Sequence, residues 1–162
     1  MQKPPGSATV PSGVAQLQAT LQSGLRAHQS GDFTQAEVCY RKVLQTDGNN
    51  SEAIYLLGVI ALQAASPKRA IELFQRAIKI NPDHAWAYFH LGLALSETGD
   101  LEGAAGALGE TVRIEPASAE ALMNFGIVLM QMGRTDEGLD HLHHAAELDP
   151  GEPETHINLA TA

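Results

Sequence analysis

The sequence predicts an all-α fold, an α-solenoid of stacked helix-turn-helix hairpins, on three observations. Gly24, Gly58, Gly92 and Gly126 recur every 34 residues, and Ala36, Ala70 and Ala104 keep the same step, as do Pro82, Pro116 and Pro150. Between these landmarks the apolar residues follow helical spacing, and short turn signals such as Thr98-Gly99-Asp100 split each period in two. No stretch reads as a strand. A fixed period of this length belongs to helical units that bury their apolar faces only by stacking on one another.

Taken in order, residues 1–13 hold three Pro and almost no apolar side chains, which predicts a disordered leader before the array at 14–162. The first repeat, 17–50, places one helix up to about Ser30 and a second from Phe33 to about Thr46, with Asp32 and Gln35 spaced as a capping box. It is degenerate, with Ser23 at a large-apolar position and Gly48 in place of Pro. The second repeat, 51–84, turns through Ala65-Ser66-Pro67, where Ser66 suits an N-cap and Pro67 the first helical position. The third, 85–118, carries Gly103, Gly106 and Gly109 in its second helix, each costing about 1 kcal/mol relative to Ala, so this helix is expected to be the softest. The fourth, 119–152, has Gly138 where the others have Ala. A partial fifth repeat, 153–162, leaves Ile157 and Leu159 without a covering helix, and we expect further chain beyond it.

Composition narrows the class. The longest apolar runs fall short of the ~20 residues of a membrane span, and no secretory signal is legible, so a cytoplasmic location is the default expectation. The single Cys39 lies in a helical pattern and reads as a small packing residue rather than a reactive thiol. The net charge of −9 is uneven: residues 1–80 hold eight Lys/Arg against five Asp/Glu, whereas residues 81–162 hold two against fourteen. An acidic half repels phosphate, which argues against nucleic acid and is compatible with a cationic partner.

Laid out in this register, the chain resembles the tetratricopeptide repeat family. The third repeat carries Tyr88, Leu91-Gly92, Ala104, Leu108 and Pro116, and the second Ile54, Leu57-Gly58, Ala70, Phe74, Ala77 and Pro82, at the family's pattern positions. The resemblance implies a right-handed superhelix whose inner, concave wall is lined by the first helix of each repeat.

Helical geometry, at about 100° per residue, leaves an arc of each first helix free of its partner helix. In this chain the proposed groove consists of Glu52, Tyr55, Val59, Trp86, Phe89, His90, Leu93, Glu120, Met123, Asn124, Ile127 and, in the partial repeat, Asn158. It holds no Lys or Arg. Family members that dock the acidic tails of heat-shock chaperones rely on such cations, because a carboxylate needs charge-assisted donors. The resemblance therefore implies a different partner here: a protein or peptide, cationic or amphipathic, held in an apolar stripe edged by glutamates. The alternative for these apolar positions is packing between neighbouring first helices. Asn124 and Asn158, with His90 and Gln22 at equivalent sites, are similar to the asparagine ladder of O-linked N-acetylglucosamine transferases, which holds a peptide backbone; solvated polar positions are the competing reading.

No catalytic constellation is visible, and no cofactor, metal, nucleic acid or membrane is expected as a ligand. His141, His143 and His144 read as surface histidines able to pair with Glu137 and Asp140 rather than as metal ligands. Two functions follow: a noncatalytic scaffold that holds a peptide or helix, or the substrate-recruiting or dimerising front of a bacterial enzyme such as a glycosyltransferase or sulfotransferase. Self-association through the uncovered C-terminal helix is compatible with either.

Overall fold

The computed structural model describes residues 13–150; the predicted leader up to residue 12 and the partial repeat at 153–162, with Asn158, lie outside them. Eight α-helices follow one another: α1 (Gly13–Gln29), α2 (Phe33–Thr46), α3 (Ser51–Gln63), α4 (Pro67–Ile80), α5 (Ala85–Glu97), α6 (Leu101–Ile114), α7 (Ala119–Gln131) and α8 (Thr135–Leu148). No strand occurs among the described residues. The second helices start at Phe33, Pro67, Leu101 and Thr135, so the 34-residue period of the sequence is also the period of the helices. The fold is an all-α helix-turn-helix solenoid.

The chain divides into two compact units, one ending at Gly48 and the other beginning at Asn49. The first is a single hairpin of α1 and α2, closed around Tyr40, Ala36 and Val43. Cys39 is a buried free thiol, in the packing role its helical position predicts. The second unit contains three hairpins, α3/α4, α5/α6 and α7/α8, stacked through α4 on α5 and α6 on α7. Direct contacts of α3 with α5 and of α5 with α7 set the first helices of this unit side by side.

Each hairpin turns through the same geometry. The backbone N–H groups of Asp32, Ser66, Asp100 and Arg134 each donate at 2.9 Å to the carbonyl five residues earlier, closing the end of the first helix. The preceding residue must then adopt the left-handed conformation. Gly31, Gly99 and Gly133 do so with φ of 80°, 84° and 81°, and Ala65 is forced into it at φ 51°. The different turn chemistry of the second repeat thus keeps the hairpin by straining one residue.

Two capping expectations are corrected. Asp32 accepts from the Gln35 N–H at 2.9 Å, but the Gln35 side chain reaches Cys39 Sγ at 3.6 Å instead of returning to the cap, so only half of a capping box forms. Ser66 occupies the N-cap of α4 without a side-chain cap bond, its hydroxyl donating to the Ala64 carbonyl at 3.3 Å. The caps that do form in the second unit are Asn50 on α3, Asp100 on α6 and Ser118 on α7.

Glycine at the eighth position of the first helix is a requirement of contact. A Cβ on Gly92 would lie 2.6 Å from Leu108 Cγ and 3.3 Å from the Ala104 carbonyl oxygen. In the last hairpin the helices touch backbone to backbone, since a Cβ on Gly138 would sit 2.7 Å from the Gly126 carbonyl oxygen. That contact explains the departure from Ala at position 138. The glycines of α6 divide by function: Gly103 leaves room for the Asp100 carboxylate that caps the helix, Gly109 faces Phe125 at ordinary contact distance, and Gly106 meets nothing within 4 Å.

These geometries give two predictions. Ala65→Gly removes the left-handed penalty and should raise stability by about 1 kcal/mol in urea unfolding. Gly92→Ala should destabilise by roughly 1–3 kcal/mol through overpacking, whereas Gly106→Ala, in open space in a helix interior, should stabilise by up to ~1 kcal/mol; thermal melts followed by circular dichroism would reveal the opposite signs.

Candidate functional site

The row of first helices in the second unit fixes which side chains lie next to one another. Residues 34 apart occupy the same height on neighbouring helices, so Glu52 on α3, Trp86 on α5 and Glu120 on α7 form one row. The next rows along the helices hold Tyr55, Phe89 and Met123, then Leu56, His90 and Asn124.

Around α5 these rows converge in a cluster of rings. The Tyr55 ring lies 4.7 Å from that of His84 and 5.6 Å from that of His90. His90 also faces Phe74 at 5.8 Å, Phe89 edge-on at 5.4 Å and Trp86 at 6.2 Å. Phe89 is a core residue, 3% exposed, and stands at right angles to Trp86, which is 47% exposed. A buried aromatic layer therefore supports one ring open to solvent.

The polar atoms of the cluster are constrained. His90 Nδ1 lies 2.9 Å from the Trp86 carbonyl; because a carbonyl only accepts, Nδ1 carries a proton and donates along its own helix. The Tyr55 hydroxyl lies 3.4 Å from the same nitrogen. Burial lowers the His90 pKa below its ordinary value, against upward pulls from the Trp86 carbonyl and the Glu120 carboxylate, with His84 adding a further lowering. Burial first, and then the Glu52 carboxylate, push the Tyr55 phenol up to about 12, so its proton is held at physiological pH.

His84 was not among the residues expected from sequence. It stands at the N-cap of α5, in the register where Asn50 caps α3 and Ser118 caps α7, yet it makes no side-chain cap bond. Its ring turns toward Tyr55, and its buried Nε2 lies 3.3 Å from Glu52 Oε2 without the direction of a hydrogen bond. The available sequence signal was a residue type in the cap register that caps poorly.

The remaining groove residues differ in what they leave open. Met123 belongs to a core cluster with Leu122, Leu142 and Ala145, and Ile127 packs on its edge. Val59 packs beside Phe74 and Leu91, and Leu93 beside Phe89 and Leu108, so packing between helices absorbs much of the apolar stripe. Asn124 donates from Nδ2 to the Glu120 carbonyl at 2.8 Å, the same backward reach that His90 makes to Trp86. Glu120 is exposed and Glu52 and Asn124 are half-buried.

Away from this wall, the histidines of α8 behave differently from expectation in one respect. Glu137 pairs with Arg134 through two bonds of 2.9 and 2.7 Å rather than with a histidine, because the guanidinium offers a bidentate fit. His141 packs its ring 4.6 Å from Phe125, and burial lowers its pKa. Among the described residues no group of three or more His, Cys, Asp or Glu is placed to hold a metal ion. No helix of these residues is long and apolar enough to cross a membrane.

Comparison with known proteins gives the family. A family model described as "Anaphase-promoting complex, cyclosome, subunit 3" matches residues 29–111, just over half of the chain, and a tetratricopeptide repeat model matches residues 89–153. No curated protein matches the sequence significantly. Among solved structures, MamA is similar at 27% identity and TM-score 0.78, over 85% of this chain and 81% of that one. PilF of Pseudomonas aeruginosa is similar at 25% identity and TM-score 0.83, over 93% of this chain and 69% of its own. YrrB, described as a TPR protein with an unusual peptide-binding site, shares the fold at 21% identity and TM-score 0.75, over 93% of this chain and 77% of that one. Matched over just over half its length by one model and through its later hairpins by the other, the chain belongs to the tetratricopeptide repeat family.

Proposed function

We propose that this chain is a noncatalytic cytoplasmic interaction module that holds a peptide or helical segment of a partner protein against the first helices of its second unit. One observation carries the reading: Trp86 stays 47% exposed at the middle of that wall, on a layer of buried rings that other residues have already completed. An aromatic side chain gains little stability in such a position, whereas large rings on a rigid support are typical anchors of protein interfaces.

The neighbouring groups suit the same task. Asn124 and the exposed Glu120 offer acceptors beside the ring, so a bound backbone or side chain finds polar partners at the edge of an apolar contact. Packing of Val59, Leu93 and Ile127 against the core makes the floor stiff, and a stiff floor lowers the ordering cost of binding. YrrB, with its peptide-binding site, supports the premise that the fold can hold a peptide.

The test begins with a partner captured by crosslinking or pull-down with the whole chain. Trp86→Ala should weaken its binding by at least ~10-fold, as loss of an anchor ring does, and Asn124→Ala by a smaller factor. Calorimetric titration of the two variants, with circular dichroism to verify folding, measures this. Full binding by both folded variants would place the interface on another surface.

A further inference from the structure

We propose that the cluster centred on Trp86 is a cation-recognition site, receiving one arginine or lysine side chain of the peptide bound to the first-helix wall. The proposal rests on the groove reading above and names the chemistry that this groove selects.

Three observations lead to it. Trp86 lies between two carboxylates in one row, Glu52 on α3 and Glu120 on α7, each one 34-residue step away. Among the described residues neither carboxylate forms an ion pair with Lys or Arg; the short contact of Glu52 is to His84, and Glu120 acts on His90. A half-exposed indole set in one row with two carboxylates that no Lys or Arg neutralises attracts a cation twice, through the ring quadrupole and through charge. Arginine fits better than lysine, since a planar, weakly hydrated guanidinium stacks on an indole and bonds a carboxylate in the same plane.

The third observation is the uncapped N-terminus of α5. At this register Asn50 and Ser118 cap their helices, and His84 forgoes a bond worth about 1 kcal/mol. Its ring instead extends the aromatic surface beneath Glu52 and Tyr55. Among α3, α5 and α7 the cap bond is missing only at α5, where a half-exposed aromatic also stands, and such a local departure marks a place shaped by something other than stability.

The surroundings also set a pH response. The groups facing His90 are the Tyr55 hydroxyl from α3, the Phe74 ring from α4, Trp86 and His84 from the α5 segment and the Glu120 carboxylate from α7. With burial lowering its pKa, His90 is neutral at neutral pH, and the cluster presents the two carboxylates. Protonation of the His90 imidazole on acidification adds positive charge beside the two carboxylates and opposes a bound cation.

Trp86 is the only tryptophan of the chain, so its fluorescence reports on the site directly. The whole protein is titrated with a capped peptide of alternating glycine and arginine and with the same peptide carrying neutral citrulline. A saturable change is expected with arginine, a weaker one with the lysine version and none with citrulline; the arginine affinity should fall as pH goes from about 7.5 to about 5. Glu52→Gln with Glu120→Gln should weaken the arginine peptide by about fivefold or more. The control, Glu102→Gln with Glu147→Gln on α6 and α8, changes net charge equally and should leave affinity within about twofold, since exposed distant charges are screened.

Equal binding of the citrulline peptide, or equal weakening by the control pair, would overturn the cation site. Failure here with Trp86→Ala still releasing the captured partner would remove the cation assignment and keep the groove; retention of that partner by Trp86→Ala and Asn124→Ala would remove the groove itself.

Discussion

The structure depends on how closely the two helices of each hairpin approach. Gly92 against Leu108 and Ala104, and Gly126 against Gly138, leave no room for a side chain where the helices meet. Within the second unit, the hairpins closed in this way repeat at one 34-residue step. Helix-interior glycine lowers helix propensity by about 1 kcal/mol, so it is retained where separation of the helices would sacrifice more packing. The same step places α3, α5 and α7 side by side, and the ring cluster around His90 exists because residues 34 apart become neighbours.

Much of this fold was legible in the sequence because its determinants repeat. A landmark that recurs at Gly24, Gly58, Gly92 and Gly126 defines helices, turns and hairpin contacts together. Capping was less legible. Asp32, Ser66 and Gln35 have the right identities and spacing, yet the Ser66 hydroxyl and the Gln35 amide took other partners, since several acceptors lie within reach of a short polar side chain at a turn. Gly138 looked like a departure from pattern and follows instead from the backbone contact with Gly126.

The candidate site was partly legible. Helical phase identified the wall and placed Trp86 on it, but phase alone does not say how much of a side chain the neighbouring helix covers. Phe89 and Met123 share the wall arc with Trp86 and are nonetheless core residues. His84 escaped notice because it lies at a helix boundary, outside the periodic arc, and its part depends on a ring orientation that only tertiary structure supplies.

The row of Glu52, Trp86 and Glu120 carries a further implication for how such a surface can change. Each residue belongs to a different hairpin, and the interior of each hairpin is closed by its own glycine contact. The row is therefore a short text written one letter per hairpin, and its meaning lies in the order of the letters. Duplication, loss or exchange of a hairpin would rewrite that order in one genetic event while each unit kept its own interior, so recognition could diverge among descendants of this array faster than its architecture.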